Sequence, residues 1–233
     1  MKKYKTNVLD GLEDIYFDGS SQCSDIRVIS TDRSVEKIIE DKLKNGTIDE
    51  VVLAWKMGTL KYDGNKECHI EVKMNEDGNH MDRYGRQVSG LCEYIDRVID
   101  VWNNKRLDQF IGKDGFKKIY AELLDCEPPD NFGTVYIISL VYFLSKGKWP
   151  LFDKYARIGL EAIYQANEPY NIIIVPKDIP TKYEVNRVVN TYNDYCEKMT
   201  KVFGNQDICR KIDRELWVYG HKKNTNKNKE GMI

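Results

Sequence analysis

One apolar run constrains the fold more than any other feature of this sequence. Residues 135–144, VYIISLVYFL, are interrupted only by Ser139. Ten residues are about half the length that crosses a bilayer, so the run predicts a helix or strand buried inside a folded domain. Hydrophobic residues make up 41% of the chain, which is enough to build a core around this run.

The overall charge is close to neutral. The 36 basic and 37 acidic residues give a formal net charge of -1, which argues against a protein that coats nucleic acid by bulk charge but permits a local basic face. The N-terminal residues contain no apolar segment of signal-peptide length. The six cysteines are widely spread, as in proteins that keep free thiols in a reducing compartment. We therefore expect a cytoplasmic monomer with no membrane association, located at the nucleoid if the cell is bacterial.

Apolar residues recur at helical spacing in most of the chain, which predicts a mainly α protein. The clearest helical segments are residues 35–43, 91–102, 116–124 and 153–167. Residues 47–50 and 181–184 have the sequence of capping boxes, and Gly204 is placed to end the helix that follows the second box. Alternating apolar and polar residues near 67–74 predict one minor β segment.

The C-terminal part of the chain contains a further helix and a polar end. Gly220 is placed to end the helix RKIDRELWVYG, and the following KKNTNKNKEGMI is rich in lysine and asparagine. We expect residues 1–221 to form a single helical domain and residues 222–233 to form a disordered basic tail.

Residues 116–157 combine helices and turns in an informative order. A helix is followed by a Pro-Pro-Asp-Asn-Phe-Gly turn, the apolar run, a Lys-Gly-Lys turn and Trp-Pro-Leu-Phe-Asp, after which another helix begins. Asp153 stands at the start of that last helix, where aspartate is a preferred N-cap. Its carboxylate either caps the helix only, or caps it and also faces a cleft.

This order resembles the helix-hairpin-helix DNA glycosylase superfamily, and in particular its small members related to 8-oxoguanine glycosylases. Gly133 matches the second glycine of the family's hairpin, and residues 150–153 match the loop that ends in the catalytic aspartate, 20 positions further on. The match is good over residues 116–160 and loose over 181–221. The resemblance implies two helical lobes with a cleft between them.

The sequence departs from the family pattern at several positions. Asn131 replaces the first hairpin glycine, although asparagine tolerates a left-handed backbone better than most residues. Val135 stands where bifunctional members carry a lysine nucleophile, and no close run of four cysteines is present for an iron–sulfur cluster. The resemblance therefore implies a monofunctional enzyme of base excision repair without a cofactor, which flips a damaged or modified base out of double-stranded DNA.

The resemblance also assigns roles to individual residues. Asp153 would be catalytic, because a fixed carboxylate stabilises the positive charge that builds on the sugar. The helix that starts near Gly133 and Thr134 offers N–H groups to a phosphate. The predicted DNA contacts are Asn131, Gly133, Thr134, Lys146, Lys148, Lys154 and Arg157. The predicted walls of the base pocket are Trp149, Phe152, Tyr155, Trp55 and Lys56.

Each of these sets also has an ordinary structural interpretation. Aromatic residues at helical spacing are typical of a core, and exposed lysines are common on any solvated loop. Cys68, His69, Asp77 and His80 match no standard zinc spacing, so we expect no metal site. No single cysteine is favoured as a nucleophile. A non-catalytic DNA-binding protein on the same scaffold and a helical protein-interaction module without a DNA role are alternative functions.

Overall fold

The computed structural model describes residues 4–18, 33–63, 69–110, 112–166, 178–204 and 210–230. Within these ranges the protein is mainly helical, which confirms the predicted fold class at that level. The helices are α1 (Leu12–Asp18), α2 (Arg33–Asn45), α3 (Glu50–Met57), α4 (Leu91–Asn104), α5 (Gly112–Asp125), α6 (Thr134–Leu144), α7 (Lys154–Gln165), α8 (Val185–Phe203) and α9 (Arg210–Glu230). The strands are β1 (Leu60–Asp63), β2 (His69–Val72), β3 (His80–Met81) and β4 (Gln87–Val88). Short 3-10 helices cover Thr6–Leu9 and Leu107–Gln109.

The chain divides into two compact units. The central unit contains Asp32–Trp149 and Pro180–Asn193, and the terminal unit contains Met1–Thr31, Pro150–Ile179 and Asp194–Ile233. The division falls within α8, whose residues are shared between the two. Among the described helices, none combines the length and the hydropathy needed to span a membrane.

Helix α6 forms the centre of the central unit, as its apolar sequence requires. Ile137, Ile138, Val141, Tyr142 and Phe143 are all fully buried. Helices α2, α3 and α5 pack against α6. Burial of each large apolar side chain contributes about 1.5–3 kcal/mol, so this helix is a major source of stability for the unit.

Two antiparallel ribbons connect α3 to α4, where the sequence predicted one β segment near 67–74. In the first ribbon β1 pairs with β2, with Leu60 opposite Val72. In the second, β3 pairs with β4, with His80 opposite Val88. The second ribbon was not predicted, because two residues per strand are too few to show an alternating pattern.

The turn of the second ribbon is held by a buried aspartate. The carboxylate of Asp82 is fully buried and accepts hydrogen bonds from the backbone N–H groups of Tyr84, at 2.8 Å, and Arg86, at 2.9 Å. It also accepts from the Nε of Arg86 at 2.7 Å. Burial raises the pKa of Asp82, but these hydrogen bonds outweigh it and leave the pKa below its usual value. The turn is therefore held by three hydrogen bonds to one carboxylate although it lies at the surface.

In the terminal unit, α7 and α9 cross at very close range. A Cβ atom on Gly220 would collide with the carbonyl oxygen of Tyr155, and one on Gly159 would collide with the carbonyl oxygen of Leu216. Glycine is required at both positions because the two backbones touch. The prediction that Gly220 ends the last helix is wrong: this glycine lies inside α9 and serves the helix crossing.

Helix α9 continues well beyond Gly220. It ends at Glu230, so residues 222–230 are helical, and the predicted disordered tail is corrected over that range. Residues 231–233 lie outside the described residues.

The helix starts agree only in part with the predicted capping boxes. At α3 the N-cap is Asp49, whose carboxylate accepts from the N–H of Val52 at 3.2 Å, and Thr47 instead bonds its own N–H back to α2. At the second box Glu184 accepts from the N–H of Thr181 at 2.9 Å, as predicted. The Thr181 hydroxyl, however, donates to the same carboxylate. Helix α8 ends before Gly204, as predicted.

Replacing Gly220 with alanine tests the close crossing of α7 and α9. In a helix without such a contact, glycine to alanine stabilises the protein by about 1 kcal/mol. Here the new methyl group meets backbone atoms, so we expect Gly220→Ala to lower the free energy of unfolding by about 1–3 kcal/mol. Urea denaturation followed by circular dichroism measures this change.

The matched control is Gly133→Ala, where an added Cβ would meet nothing within 4 Å and the φ angle is -84°. Gly133 is an N-cap, where alanine is less favourable than glycine, so we expect this control to lower stability by less than about 1 kcal/mol. A Gly220→Ala protein that is more stable than the wild type would refute the close backbone packing.

Candidate functional site

The turn between α5 and α6 is held by a buried lysine. The Nζ of Lys182, which is 6% exposed, donates to the carbonyl oxygens of Pro128, at 2.9 Å, and Pro129. Tyr120 in α5 donates its hydroxyl to the carbonyl oxygen of Lys182 at 3.1 Å. Burial lowers the pKa of Lys182, and the nearby Asp130 carboxylate raises it. The turn thus depends on a side chain that sequence reasoning did not single out.

Two other polar residues at this turn also make structural contacts. Thr134 donates its hydroxyl to the carbonyl oxygen of Pro180 at 2.6 Å, and Asn131 donates its side-chain amide to the carbonyl oxygen of Gln87 at 2.7 Å. The left-handed residue of the connection is Glu127, with φ 59°, and not Asn131 as the comparison with the family hairpin had implied.

No side chain caps the start of α6. Gly133 occupies the N-cap in an extended conformation, and the hydroxyl of Thr134 donates to Pro180 instead. The first N–H groups of a helix carry partial positive charge and bind phosphate readily. The phosphate contact near Gly133 and Thr134 stays a prediction, with backbone N–H groups as its donors.

A basic and aromatic tip adjoins this turn. The tip, residues 83–86 between β3 and β4, carries an exposed Tyr84 at 67% exposure. The guanidinium carbons of Arg83 and Arg86 lie 5.0 and 5.2 Å from the centre of its ring. Gln87, which directly follows the tip, accepts the hydrogen bond from Asn131. The tip was missed in the sequence because its significance depends on this contact across 44 residues.

Of the four basic residues predicted to contact DNA, three are exposed lysines and one is a half-buried arginine. Lys146 and Lys148 are exposed at the end of α6 in the central unit, and Lys154 is exposed at the start of α7 in the terminal unit. Arg157 is different, because it is half-buried and lies near the carboxylates of Glu161 and Asp194. Burial lowers its pKa, and these two carboxylates raise it. Glu161 and Asp194 both pair with Lys198 as well, and the contact of Arg157 with DNA stays a prediction.

Asp153 is the N-cap of α7, as its position in the sequence predicts. Its Oδ1 accepts a hydrogen bond from the N–H of Tyr155 at 2.8 Å. The residue is half-buried and its backbone is extended, with φ -143°. The cap interpretation is confirmed, and the cap fixes the direction of the carboxylate.

The aromatic residues assigned to a base pocket pack mainly against other rings. Phe152 is 1% exposed and meets Tyr195 edge-on, so the structure makes it a core residue and corrects its place on an open wall. Tyr155 is half-buried and stacks on His221. Trp149 is also half-buried, with its ring 5.6 Å from that of Phe116. Trp149 and Tyr155 therefore pack against other aromatic rings, as expected if aromatic residues at helical spacing belong to a core.

The two residues predicted for the opposite wall lie in the central unit. Trp55 donates its indole N–H to Glu36 at 3.2 Å and meets Phe143 edge-on. Lys56 lines a small apolar pocket with Phe132 and Tyr136, with about 230 Å³ of empty space that includes open solvent. The volume is below that of typical small-molecule pockets, about 300–1,000 Å³.

One group of side chains has the composition of a metal site. Glu50, His80 and Cys92 each offer a ligand atom, and these atoms all lie within 4.8 Å of one another. The sulfur of Cys92 is 3.7 Å from the Nε2 of His80. Of the other residues considered in the sequence, Cys68 lies outside the described residues, as does the side chain of His69.

Comparison with protein-family models, with curated proteins and with solved structures finds no match for this chain. Its function therefore has to be inferred from its own residues.

Replacing Lys182 with methionine tests the support of the α5–α6 turn. Methionine keeps the apolar stem but removes the ammonium group, leaving the carbonyl oxygens of Pro128 and Pro129 without this donor. An unsatisfied buried acceptor costs about 1–3 kcal/mol, so we expect Lys182→Met to lower the free energy of unfolding by about 2 kcal/mol or more. Urea denaturation measures the loss.

The control for this change is Lys148→Met at an exposed position. We expect it to alter stability by less than about 0.5 kcal/mol. Equal losses in the two variants would show that the buried hydrogen bonds of Lys182 do not support the turn.

Proposed function

We propose that this protein is a monofunctional DNA glycosylase, which binds duplex DNA and hydrolyses the bond between a damaged or modified base and its deoxyribose. The observation that carries the proposal is the uncapped start of α6, whose preceding turn is hydrogen-bonded through Asn131 to Gln87, the residue that follows the exposed 83–86 tip. The resemblance of residues 116–160 to helix-hairpin-helix glycosylases supports the same function, and Asp153 is the matching acid.

The central unit offers several kinds of contact to a DNA strand. The backbone N–H groups at the start of α6 suit a phosphate oxygen, and the exposed side chain of Arg83 suits a second phosphate. Lys146 and Lys148 follow the opposite end of α6 and suit phosphates further along the DNA. The Tyr84 ring is available to stack on a base or to enter a base step. A chain with a net charge of -1 needs such a local concentration of donors to hold DNA.

Asp153 supplies the chemistry in this proposal. Water adds to C1′ of the deoxyribose, the C1′–N bond breaks, and the base leaves with the bonding electrons and takes up a proton. Positive charge builds on the sugar in the transition state, and a fixed carboxylate stabilises it or accepts a proton from the attacking water. The hydrogen bond from the N–H of Tyr155 holds the carboxylate in one orientation.

The residue two positions after Gly133 indicates the type of product. Val135 is aliphatic and cannot form a Schiff base with the sugar. The proposed reaction therefore ends at an intact abasic site, which hot alkali converts into a strand break. This property provides a direct assay.

Replacing Asp153 with asparagine tests the catalytic role. Asparagine is about as good an N-cap as aspartate, so the substitution removes the charge and keeps the helix start. We expect a loss of about 100-fold or more in the single-turnover rate of base release. Duplex oligonucleotides that each carry one lesion or modified base are incubated with the protein, treated with alkali and analysed for strand cleavage.

Asp49→Asn is the matched control, because Asp49 is also an N-cap aspartate whose side chain accepts a backbone N–H. We expect it to keep the wild-type rate. An undiminished rate in Asp153→Asn would end the assignment of this acid. Salt-dependent DNA binding without base release on any substrate would identify the protein as a non-catalytic DNA-binding protein instead.

Replacing Tyr84 with alanine tests the interface of the central unit. Stacking of an aromatic side chain on a base contributes about 1–3 kcal/mol, so we expect Tyr84→Ala to weaken DNA binding roughly tenfold. Fluorescence anisotropy with a labelled duplex measures the affinity at several salt concentrations. Arg83→Gln should flatten the dependence of log affinity on log salt by about 0.9, the effect of one lost phosphate contact.

The control for the tip is Tyr183→Ala, since Tyr183 also lies in the central unit and is 68% exposed. Its removal is expected to leave affinity unchanged. Equal affinities for Tyr84→Ala and the wild type would exclude the tip from the interface.

A further inference from the structure

We propose that Glu50, His80 and Cys92 form a binding site for a divalent transition-metal ion of the zinc class. This inference is separate from the proposed DNA chemistry and does not depend on it. It differs from the sequence-based expectation of no metal site, which considered His80 only with residues close to it in the chain.

The three side chains come from three different elements of the central unit. Glu50 is the first residue of α3, His80 the first residue of β3, and Cys92 the second residue of α4. Because the potential ligands are spread over 42 positions, they match no spacing motif. A bound ion would link the short β3–β4 ribbon to the starts of two helices.

The distance between the cysteine and the histidine fits a shared ion. In a tetrahedral zinc site, a Zn–S bond of about 2.3 Å and a Zn–N bond of about 2.0–2.1 Å place sulfur and nitrogen about 3.6 Å apart. The observed separation of the Cys92 sulfur and the His80 Nε2 is 3.7 Å. This pair is therefore spaced for coordination before any ion arrives.

Glu50 needs only a small adjustment to complete the set. Its ligand atom lies within 4.8 Å of the other two, while a tetrahedral site brings its oxygen to about 3.5 Å from each. Glu50 is exposed, so a change of rotamer can move its carboxylate by the about 1 Å that is needed. Three protein ligands leave a fourth position for water or an external ligand.

The donor atoms select the class of metal. An imidazole, a thiolate and a carboxylate form a mixed set that suits Zn²⁺ and its substitute Co²⁺, whereas Mg²⁺ and Ca²⁺ prefer oxygen ligands only. The imidazole is 3% exposed, and its Nδ1 has no hydrogen-bond partner in the described part of the chain. Coordination at Nε2 would fix the tautomer that carries its proton on Nδ1.

The carboxylates around the site favour a bound cation. Glu50, Glu93 and Asp96 all act electrostatically on Cys92, so a metal ion at this position is attracted by several negative charges. A Cys–His nucleophile pair needs positively charged surroundings instead.

Cobalt substitution tests the site directly. The full chain is treated with a chelator, kept reduced with a metal-free phosphine and titrated with Co²⁺ at micromolar protein concentration. We expect one Co²⁺ per chain, with visible ligand-field bands of tetrahedral cobalt and a near-ultraviolet thiolate-to-cobalt charge-transfer band. Addition of Zn²⁺ should displace the cobalt and raise the midpoint of thermal unfolding.

Four variants test the assignment of the ligands: two replace proposed ligands and two are controls. Cys92→Ser should abolish the charge-transfer band and weaken binding by at least about tenfold, and Glu50→Gln should weaken binding while keeping the band. Cys196→Ser, at a half-buried cysteine of the other unit, should behave as the wild type. Glu93→Gln should keep both band and stoichiometry, because Glu93 contributes charge to the surroundings and is not one of the three ligands.

The proposal is overturned by either of two results. One is a wild-type chain that binds neither Co²⁺ nor Zn²⁺ stoichiometrically. The other is a Cys92→Ser variant that folds, as judged by circular dichroism, and still shows the thiolate band. Because these measurements use no DNA, their failure is distinguishable from a failure of the glycosylase assignment.

Discussion

A single buried ammonium group determines the geometry at the start of α6. Pro128 and Pro129 have no N–H groups, and their carbonyl oxygens point to the Nζ of Lys182. The same short segment is bound from both sides, since Tyr120 in α5 donates to the carbonyl oxygen of Lys182 and Thr134 in α6 donates to that of Pro180. Because Lys182, Tyr120 and Thr134 are buried, losing one of their hydrogen bonds would cost a large part of the stability of the turn. The position of the α6 start, and with it the proposed phosphate contact, follows from this network.

The features that the sequence predicted correctly are those governed by local chemistry. Helix α6 is buried because its apolar residues leave no polar face, and α2 and α4 follow from apolar residues three and four positions apart. Asp153 caps α7 because its side chain reaches an N–H two residues away. Each of these signals acts within one or two helical turns, so it can be read without knowledge of the rest of the chain.

The features that were missed depend on contacts between distant residues. Gly220 has the sequence context of a helix end, but its position inside α9 results from the backbone of Tyr155. The 83–86 tip gains its place beside the hairpin through Asn131. The cluster of Glu50, His80 and Cys92 is formed by three separate elements, and no spacing rule describes it. In each case the feature depends on a tertiary contact, which the local sequence does not reveal.

The terminal unit is assembled from segments at opposite ends of the sequence. Arg214 in α9 pairs with Glu13 in α1, 201 positions earlier, and α7 packs against α9. Contacts of such long sequence separation carry a high loop-closure cost and form slowly. During synthesis, most of the central unit emerges from the ribosome as one uninterrupted stretch. Helix α7, in contrast, cannot pack against α9 until α9 has been translated. Helix α7, which Asp153 caps, therefore acquires α9 as a packing partner only after α8 has also been translated.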